Sequence, residues 1–451
     1  MAPRAAPPAG ARAPGNAARV LRLVHEEGPI SRAELTRRTG LNRSTTLALV
    51  GELVDLGLVH EDAPATGVRG AGVGRPSPVV RASADVVAAA AVVEIDAVTV
   101  ALVGLDGSVR HRRAEPQAAP PTAAEAVVTV ARLLDELVAH ASSTTGPVRV
   151  VGIGVAVPGT VRAEDGTVQY APHLGWHDEP VAEPLADRTG LPVAAANDAD
   201  LGAWAERLAG SGRGVDDVVY LNGGASGIGG GVITAGRPLI GADGYAGELG
   251  HTFVAANGIR CHCGAVGCLE TEASREALTS VAGTPPDDLR ALAAALAEER
   301  PDLESVVDRQ VSALVTALRN AIHTVNPEVV VLGGFLGVLL EHVGDRILDD
   351  VRAQSMPGTA DRLRIVPAAL GDDVLTRGAA EVGFRELLRD PAAHAGAARP
   401  AARPAARPAA APAAAHAAAA VQPAAGRTRA PSSPNAPGTD RDAAAEEART
   451  P

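Results

Sequence analysis

The stretch "GELGHTFVAANGIRCHCGAVGCLE", Gly247 to Glu270, contains every cysteine of a 451-residue chain. The three lie within eight residues, at Cys261, Cys263 and Cys268. With His251 upstream as a fourth ligand, they predict a tetrahedral site for a structural zinc ion. His262 competes with His251, but its place between two cysteines predicts a side chain that points away from the metal. Free thiols are the alternative. Four protein ligands leave no open position, so the metal is expected to brace the loop rather than to catalyse.

Segments typical of strands and helices alternate around this loop in two similar rounds. In the first, "VVAAAAVVEI", "VTVALVGL" and "SVRHRR" predict strands, followed by a helix near 122–142 and the strand "VRVVGIGVAVPG". In the second, "DVVYLN" and "GIGGGVITAG" predict strands, followed by a helix near 303–325 and the strand "EVVVLGG". The repeated order predicts a duplicated α/β fold of the actin-like, ribonuclease H-like class, with two lobes facing a cleft. We assign it to residues 82–389, with the lobe boundary near residue 197.

The segment before the lobes has the pattern of a small DNA-binding domain. Apolar residues recur at helical spacing between residues 16 and 62, with Leu47 and Val54 among them, and "TGLN" joins two short helices. The predicted helix boundaries are Ser31 and Asn42 as N-caps and Gly40 as a C-terminal stop. "GVRGAGVGRPSPVV" then resembles a wing. The sequence predicts a winged helix-turn-helix, all-α apart from its wing, over residues 16–81.

The formal charge of −12 is spread unevenly along the chain. Residues 1–81 contain 11 Arg against 7 Asp or Glu, which gives +4 and leaves −16 for the remainder. A basic head on an acidic body favours nucleic acid as the partner of the head.

The two ends of the chain have compositions typical of disorder. Residues 1–15 and 390–451 are rich in Ala and Pro, and the repeated prolines of the second segment break any helix that its alanines favour. The start of the chain lacks the apolar stretch of a secretory signal. The longest apolar run, Val86 to Val93, is far shorter than the roughly 20 residues that cross a bilayer. We therefore expect a cytoplasmic protein with no membrane partner.

The cysteine loop resembles the signature of the ROK family, which comprises repressors, open reading frames and sugar kinases. The family pattern Gly-Glu-x-Gly-His, then Cys-x-Cys-Gly-x-x-Gly-Cys-x-Glu, is matched at every fixed position of residues 247–270. "SRAELTRRTGLNRST", "GRP", "GIGVAVPG", "APHLGW", "NDAD" and "NPEVVVLGG" agree as well. The resemblance therefore extends over most of residues 16–388.

This resemblance implies a sugar site. Its residues would be Gly159, Asn197, Asp198, Glu248, His251 and Glu270. Carboxylates, an amide and an imidazole can pair with hydroxyls that both donate and accept hydrogen bonds, while a glycine would let the backbone approach the ligand. A metal on one nitrogen of His251 would leave the other nitrogen for a hydroxyl. Asp198 also suits the N-cap of the following helix. His173 replaces the Asn of the family's "APNLGW", which alters one edge of the site.

The same resemblance raises the question of kinase activity. Family kinases would use Asp198 as the general base and glycine-rich loops to hold ATP. Their Asp-x-Gly-Gly-Thr is replaced here by "EIDAVT", residues 94–99, whose side chains and extra carboxylate disfavour a phosphate. "LGGF" also puts Phe335 where a nucleotide site would prefer a small residue. We expect no catalytic residue and no enzyme activity; an ATP-dependent, glucokinase-like sugar kinase with a DNA-binding head is the alternative.

The head carries the predicted DNA contacts. In a helix-turn-helix the N-terminal residues of the second helix reach the base edges of the major groove. The candidates at that end are Arg43, Ser44 and Thr45. Those placed for phosphates are Arg32, Arg37 and Arg38, and Arg75 of the wing could enter a minor groove.

Together these features predict a sugar-responsive transcriptional regulator, in the first instance a repressor that a sugar or amino sugar releases from operator DNA. The heads of a homodimer or tetramer would bind two half-sites. The sequence leaves open the sugar, the operator, and the choice between repression and activation.

Overall fold

The computed structural model describes residues 15–62, 77–224 and 226–394. Three predictions fall outside this part of the chain. They are the disorder of residues 1–14, the disorder of residues 395–451, and the placement of Arg75 near the tip of the wing.

The head combines three helices with a three-stranded sheet. Its elements are α1 (Asn16–Glu27), β1 (Ile30–Ser31), α2 (Arg32–Thr39), α3 (Arg43–Asp55), β2 (Val59–Asp62) and β3 (Val79–Ala82). The hydroxyl of Ser31 accepts a hydrogen bond from the Glu34 amide at 3.2 Å, and Asn42 Oδ1 accepts one from the Thr45 amide at 2.8 Å, which confirms both predicted N-caps. Strands β2 and β3 pair antiparallel as the base of a wing. The head is therefore a winged helix-turn-helix.

The first lobe is a mixed sheet with helices on its faces. Its elements are β4 (Val86–Val93), β5 (Ala97–Gly104), β6 (Val109–Pro116), α4 (Ala123–Thr144), β7 (Arg149–Val157), β8 (Thr160–Val161), β9 (Thr167–Ala171), β10 (Trp176–Pro180), α5 (Ala182–Thr189) and β11 (Val193–Asn197). The main sheet has the order β11-β7-β4-β5-β6. Every residue of β4 is buried, as expected of a central strand covered on both faces.

The second lobe repeats this arrangement. Its elements are α6 (Asp198–Ala209), β12 (Val218–Gly223), β13 (Ile228–Thr234), β14 (Arg237–Pro238), α7 (Leu269–Glu272), α8 (Arg275–Ala282), α9 (Leu289–Leu296), α10 (Pro301–Val325), β15 (Val329–Gly334), α11 (Phe335–Val343), α12 (Arg346–Gln354) and β16 (Arg364–Pro367). The sheet order is β14-β13-β12-β15-β16, with antiparallel pairs on one side of β12 and parallel pairs on the other. The first lobe has the same pattern about β4. The predicted duplication is confirmed.

The chain ends by returning to the first lobe. The last helices are α13 (Val374–Gly383), α14 (Arg385–Arg389) and α15 (Pro391–His394). Helix α13 packs on β4 and β7, and α6 packs on β12 and β13, so the two helices cross between the lobes. Because Pro391 is buried and α15 packs against α1 and α14, the folded chain continues past the predicted end at residue 389.

The head and the first lobe share one apolar core. Val20 and Val24 of α1 belong to the same buried cluster as Leu105, Ala380 and Phe384 of the body. Within the described residues, no helix combines the length and the apolar character needed to cross a membrane.

Candidate functional site

The recognition helix α3 presents a mixed polar and apolar face to solvent. Arg43 and Ser44 are exposed at its first turn, and Arg43 makes no ion pair with any described residue. The Ser44 hydroxyl donates to Asn42 Oδ1 at 2.7 Å, which couples it to the helix cap. Leu47 and Val54, which share the helical spacing of the buried residues, are 52% and 39% exposed. An exposed Leu47 one turn after Arg43 is suited to a thymine methyl group, whereas its spacing in the sequence indicated a buried residue.

The three arginines predicted for phosphate contacts, Arg32, Arg37 and Arg38, are held in ion pairs. Arg37 and Arg38 both bond the carboxylate of Glu34, and Arg32 pairs with Glu61 at 3.1 Å. These pairs are partly exposed, and such pairs contribute at most about 1 kcal/mol. A DNA phosphate can therefore compete with Glu34 and Glu61 for these arginines, although all three are paired before DNA binds.

A cavity of about 280 Å³, lined by several polar side chains, lies between the two lobes. All six predicted sugar residues line it: Gly159, Asn197, Asp198, Glu248, His251 and Glu270. His173, Tyr170 and His262 line it as well, and the rings of His173 and His262 meet edge to face with centroids 5.4 Å apart. The six predicted residues span positions 159 to 270, so the fold brings distant parts of the sequence together at this cavity.

Asn197 fastens one wall of this cavity to helix α6. Its Oδ1 accepts hydrogen bonds from the amides of Ala199 at 2.8 Å and Asp200 at 3.1 Å, so Asn197, and not Asp198, is the N-cap. Its Nδ2 donates to the Gly159 carbonyl at 2.8 Å. Gly159 has a positive φ of 141°, and a Cβ there would overlap the backbone of Tyr170. The close approach that requires this glycine is thus to the protein backbone.

Three carboxyl groups gather at the start of α6. Burial raises the pKa of Asp198 to about 7, despite the opposing hydrogen bond from the Ala199 amide, and the charges of Glu94 and Glu248 add to the rise. Burial also raises the pKa of Asp200 to about 7, with Glu248 and Asp198 adding to it. Burial raises the pKa of Glu248, against the pull of His251. Asp200 was not predicted as a site residue, although its place in "NDAD" two residues after Asp198 puts it in the same helical turn.

The cysteine loop gathers the four predicted metal ligands. The ligand atoms of His251, Cys261, Cys263 and Cys268 all lie within 4.8 Å of one another. His251 Nδ1 is 3.6 Å from Cys261 Sγ, and the sulfur atoms of Cys263 and Cys268 are 3.7 Å apart. Tetrahedral bonds of about 2.3 Å to zinc would set sulfur atoms roughly 3.7 Å apart, so this group fits a metal ion.

A second group shares two of these ligands. It contains His251, Cys261, His262 and Glu270, also within 4.8 Å. The sequence predicted that the His262 side chain points away from the ligand cluster. It does not, since its Nδ1 lies 3.9 Å from Cys261 Sγ. The same nitrogen lies 3.2 Å from Glu270 Oε1.

Glu270 joins the metal group to the cavity. Its side chain is 7% exposed, and its Oε1 lies 3.3 Å from His251 Nδ1 and accepts from Cys261 Sγ at 2.9 Å. A metal bound at the cysteines would thus fix the position of a carboxylate that also lines the cavity.

A larger cavity of about 610 Å³ adjoins the first at Asn222 and Gly224. It is lined by Glu94 and Thr99 of the "EIDAVT" turn and by the glycines 333 and 334. Burial raises the pKa of Glu94, and Asp96 raises it further. Phe335 lies elsewhere than expected: it is 1% exposed in the core of the second lobe, against Gly223.

Comparison with known proteins separates the chain into the same two parts. The model of the ROK family matches residues 94–384, and the model of the MarR family matches residues 14–67. A glucokinase of Thermotoga maritima is 34% identical over 252 residues, which cover 51% of this chain and 78% of the relative. A xylose repressor of Bacillus subtilis is 25% identical over 368 residues, which cover 80% of this chain and 93% of the relative.

Solved structures extend the comparison to the whole fold. A ROK family transcriptional regulator, a homologue of the E. coli MLC protein, superposes with a TM-score of 0.69 at 29% identity, covering 83% of this chain and 96% of that one. A ROK family glucokinase of Streptomyces griseus, in complex with glucose and AMPPNP, gives 0.54 at 25% identity and covers 66% of this chain and 99% of that one. With a MarR-type winged helix-turn-helix ahead of its duplicated α/β lobes, the chain belongs to the ROK family.

Proposed function

We propose that this protein is a transcriptional repressor whose affinity for operator DNA is set by a sugar. The observation that carries the proposal is the presence in one chain of an exposed recognition helix and a polar cavity between two lobes. The B. subtilis xylose repressor aligns with 80% of this chain, whereas the T. maritima glucokinase aligns with 51% of it. The alignment that includes the head therefore favours a regulator over a kinase.

The cavity supplies paired donors and acceptors for sugar hydroxyls. Asp198 and Glu248 offer carboxylate oxygens, and the second Nδ2 hydrogen of Asn197 is left over from the Gly159 contact. Glu270 and the outer nitrogen of His251 complete the set. A volume of about 280 Å³ suits one monosaccharide rather than a chain of them.

We further propose that the metal is zinc, bound by His251, Cys261, Cys263 and Cys268. Three thiolates and an imidazole are the ligands typical of structural zinc, whereas the second group replaces two thiolates by His262 and Glu270. Zinc supplies rigidity here: it orients His251 and the loop that carries Glu270. Without it, the sugar affinity should fall.

The partners we propose are operator DNA and a second copy of the chain, as a homodimer or tetramer. Dimeric helix-turn-helix proteins bind half-sites about 34 to 36 Å apart. A shift of a few ångströms between the two heads would therefore cost base and phosphate contacts together. For the sugar to release the DNA, it must bind the DNA-incompetent arrangement more tightly, and operator DNA must weaken sugar binding by the same factor.

Kinase activity is not part of the proposal. Glu94 puts a carboxyl group into the larger cavity, where a kinase would hold phosphate groups, and the "EIDAVT" turn lacks the paired glycines. Incubation with ATP, Mg²⁺ and glucose or xylose should therefore produce no sugar phosphate at an enzyme-like rate. Turnover near 1 per second or faster would favour the kinase alternative.

The proposal is tested by calorimetry of the purified full-length chain against glucose, xylose and N-acetylglucosamine. A duplex selected by the wild-type chain from random DNA then serves as the operator in an anisotropy titration with and without the bound sugar. We expect one sugar to bind and to weaken the operator complex. Equal operator affinity at zero and saturating sugar, for every sugar that binds, would contradict the proposal.

A further inference from the structure

The last turn of α1 is fixed to the first lobe by a buried histidine. His25 is 3% exposed in its side chain, and its Nδ1 donates to the Leu105 carbonyl at 2.6 Å. Its Nε2 lies 3.0 Å from Glu381 Oε2, on α13, and its ring meets Phe384 with centroids 5.5 Å apart. The head is also held by Arg149 Nη1, which donates to the Leu56 carbonyl at 3.0 Å. The head therefore moves with the first lobe.

The same turn of α1 is hydrogen-bonded to the second lobe. Arg213, in the loop after α6, donates from Nη2 to the Glu27 carbonyl at 3.0 Å. Around this bond lies a cavity of about 350 Å³, lined by His25 to Pro29 of the head, by Glu381, and by Ala205, Leu208 and Ala209 at the end of α6. Empty volume at this point gives the end of α6 room to move relative to the head.

Helix α6 connects the sugar cavity to this junction. It begins at Asp198 beside the sugar cavity and ends at Ala209 beside the head, a span of about 18 Å for its 12 residues. In its first turn α6 contacts the backbone of α13 directly, because a Cβ on Gly378 would overlap the Leu201 carbonyl. Rotation of one lobe against the other about this contact moves the far end of α6, beside the head, more than the end beside the cavity, because most of the helix lies beyond Leu201.

We infer that the last turn of α1 senses the angle between the two lobes: His25 fixes it to the first lobe, and Arg213 binds it to the second. The inference rests on the proposed function and assigns the route by which the sugar cavity reaches the head.

The geometry sets what a change in lobe angle must do. A hydrogen bond at 3.0 Å weakens steeply when its donor moves by an ångström. Closure of the lobes must therefore either turn the head with Arg213 or break the bond between Arg213 and Glu27. Either outcome makes the free energy of the head position depend on the state of the sugar cavity, as linkage requires.

The test measures the coupling ratio, defined as the sugar dissociation constant with saturating operator divided by that without DNA. It uses full-length wild type, Arg213→Ala and Glu381→Gln, with the sugar that binds among xylose, glucose and N-acetylglucosamine. Arg213 is exposed, so its replacement leaves the core intact. Arg237→Ala, an exposed arginine of the same lobe, is the matched control.

In Arg213→Ala we expect the coupling ratio to fall about threefold to tenfold from its wild-type value, toward 1, since one hydrogen bond is lost. Its sugar affinity without DNA should stay within about twofold, and Arg237→Ala should match wild type. Glu381→Gln should lower the ratio in the same way. A structural role alone would lower the melting temperature and leave the ratio unchanged.

Ratios equal to wild type in both junction variants would overturn the inference and leave the proposed function standing. A wild-type ratio of 1 would instead remove the proposed function itself. Hydrogen exchange provides a second reading on the wild type: sugar should alter the protection of residues 25–28, and unchanged protection there counts against the inference.

Discussion

Asp198, which we propose as a sugar-binding residue, is a carboxyl group that lowers the stability of the fold. Its carboxyl group caps nothing beyond its own neighbour, the Ala199 amide at 2.8 Å, and shares the cavity with Glu94 and Glu248. A carboxyl group whose pKa lies near 7 in the folded chain and near 3.8 in the unfolded chain favours unfolding once it is ionised. Binding sites commonly retain such groups because the ligand needs them.

Asp198→Asn should therefore stabilise the chain in a pH-dependent way. The folded pKa is raised, so wild type loses stability relative to the variant as pH rises from about 4 to about 7, and the difference is constant above that. Because water reaches Asp198 through the cavity, we expect a gain of about 1 to 2 kcal/mol at pH 8. Urea unfolding at pH 5.5, 6.5 and 8 measures it, with the exposed Asp361→Asn as control. Sugar affinity should drop at least about tenfold; a variant less stable than wild type at pH 8 would refute the argument.

The two overlapping ligand groups make opposite predictions for the metal. If His251 and the three cysteines bind it, Cys263→Ala should lower the zinc content of the purified chain well below one per chain, while His262→Gln keeps it. If Glu270 and His262 bind the metal instead, His262→Gln should lower the zinc content and Cys263→Ala should keep it. Mass spectrometry of metal in both variants decides between the two groups. Loss of zinc should also weaken sugar binding, because His251 and Glu270 then lose their fixed positions.

At the scale of elements, sequence patterns located the main strands and helices but not every residue that each element buries. Ser31 and Asn42 act locally, so the capping signals gave the ends of α2 and α3 correctly. The spacing of Leu47 and Val54 matched a buried face, yet both are exposed, because nothing among the described residues covers that face of α3. Capping depends on residues three positions apart, whereas burial depends on the tertiary partner.

The pairing of α1 with α13 was beyond the reach of any local pattern. His25 and Glu381 are 356 residues apart in sequence, and a histidine near the end of a helix is commonly a surface residue favoured by the helix dipole. The six residues that line the smaller cavity were easier to bring together from the sequence, because each of them stood within a quoted family motif. Asp200 stands in the same "NDAD" motif but was not predicted, because its burial beside Glu248 depends on the tertiary fold.

The pair also predicts how the junction responds to pH. Burial lowers the pKa of His25, but Glu381, the Leu105 carbonyl and Glu26 outweigh burial and raise it from 6.5 to about 9. The raised value means that the pair stabilises the fold in full below pH 6.5 and that this contribution is lost as pH rises through 9.

Glu381→Gln should therefore destabilise the chain by about 2 to 3 kcal/mol at pH 6 and by less than about 1 kcal/mol at pH 10. Denaturant unfolding across this range gives the difference. Glu328→Gln, which removes an exposed partner of Arg364 at 3.4 Å, is the control and should change little at any pH. A penalty for Glu381→Gln that does not shrink with rising pH would show that the charge on His25 is not the source.

At the scale of the whole molecule, charge separates the two functions. The chain carries −12 overall, so the acidic body repels DNA and the head must supply the attraction locally. Arg43 is exposed at the start of the recognition helix, whereas Arg37 and Arg38 are already paired with Glu34. We therefore expect Arg43, which the sequence placed at the base edges, to carry more of the phosphate contact than Arg37 or Arg38.

The salt dependence of operator binding tests this contact and the oligomeric state together. Each phosphate contact contributes about 0.9 to the slope of log affinity against log salt. If two heads bind one operator and each uses Arg43 on a phosphate, Arg43→Ala should reduce the slope by about 1.8, whereas a lone head would reduce it by about 0.9. Arg364→Ala, in the second lobe, should leave the slope unchanged. An unchanged slope with affinity lost for the operator but not for random DNA would mean that Arg43 contacts a base, because base contacts distinguish sequences and phosphate contacts do not.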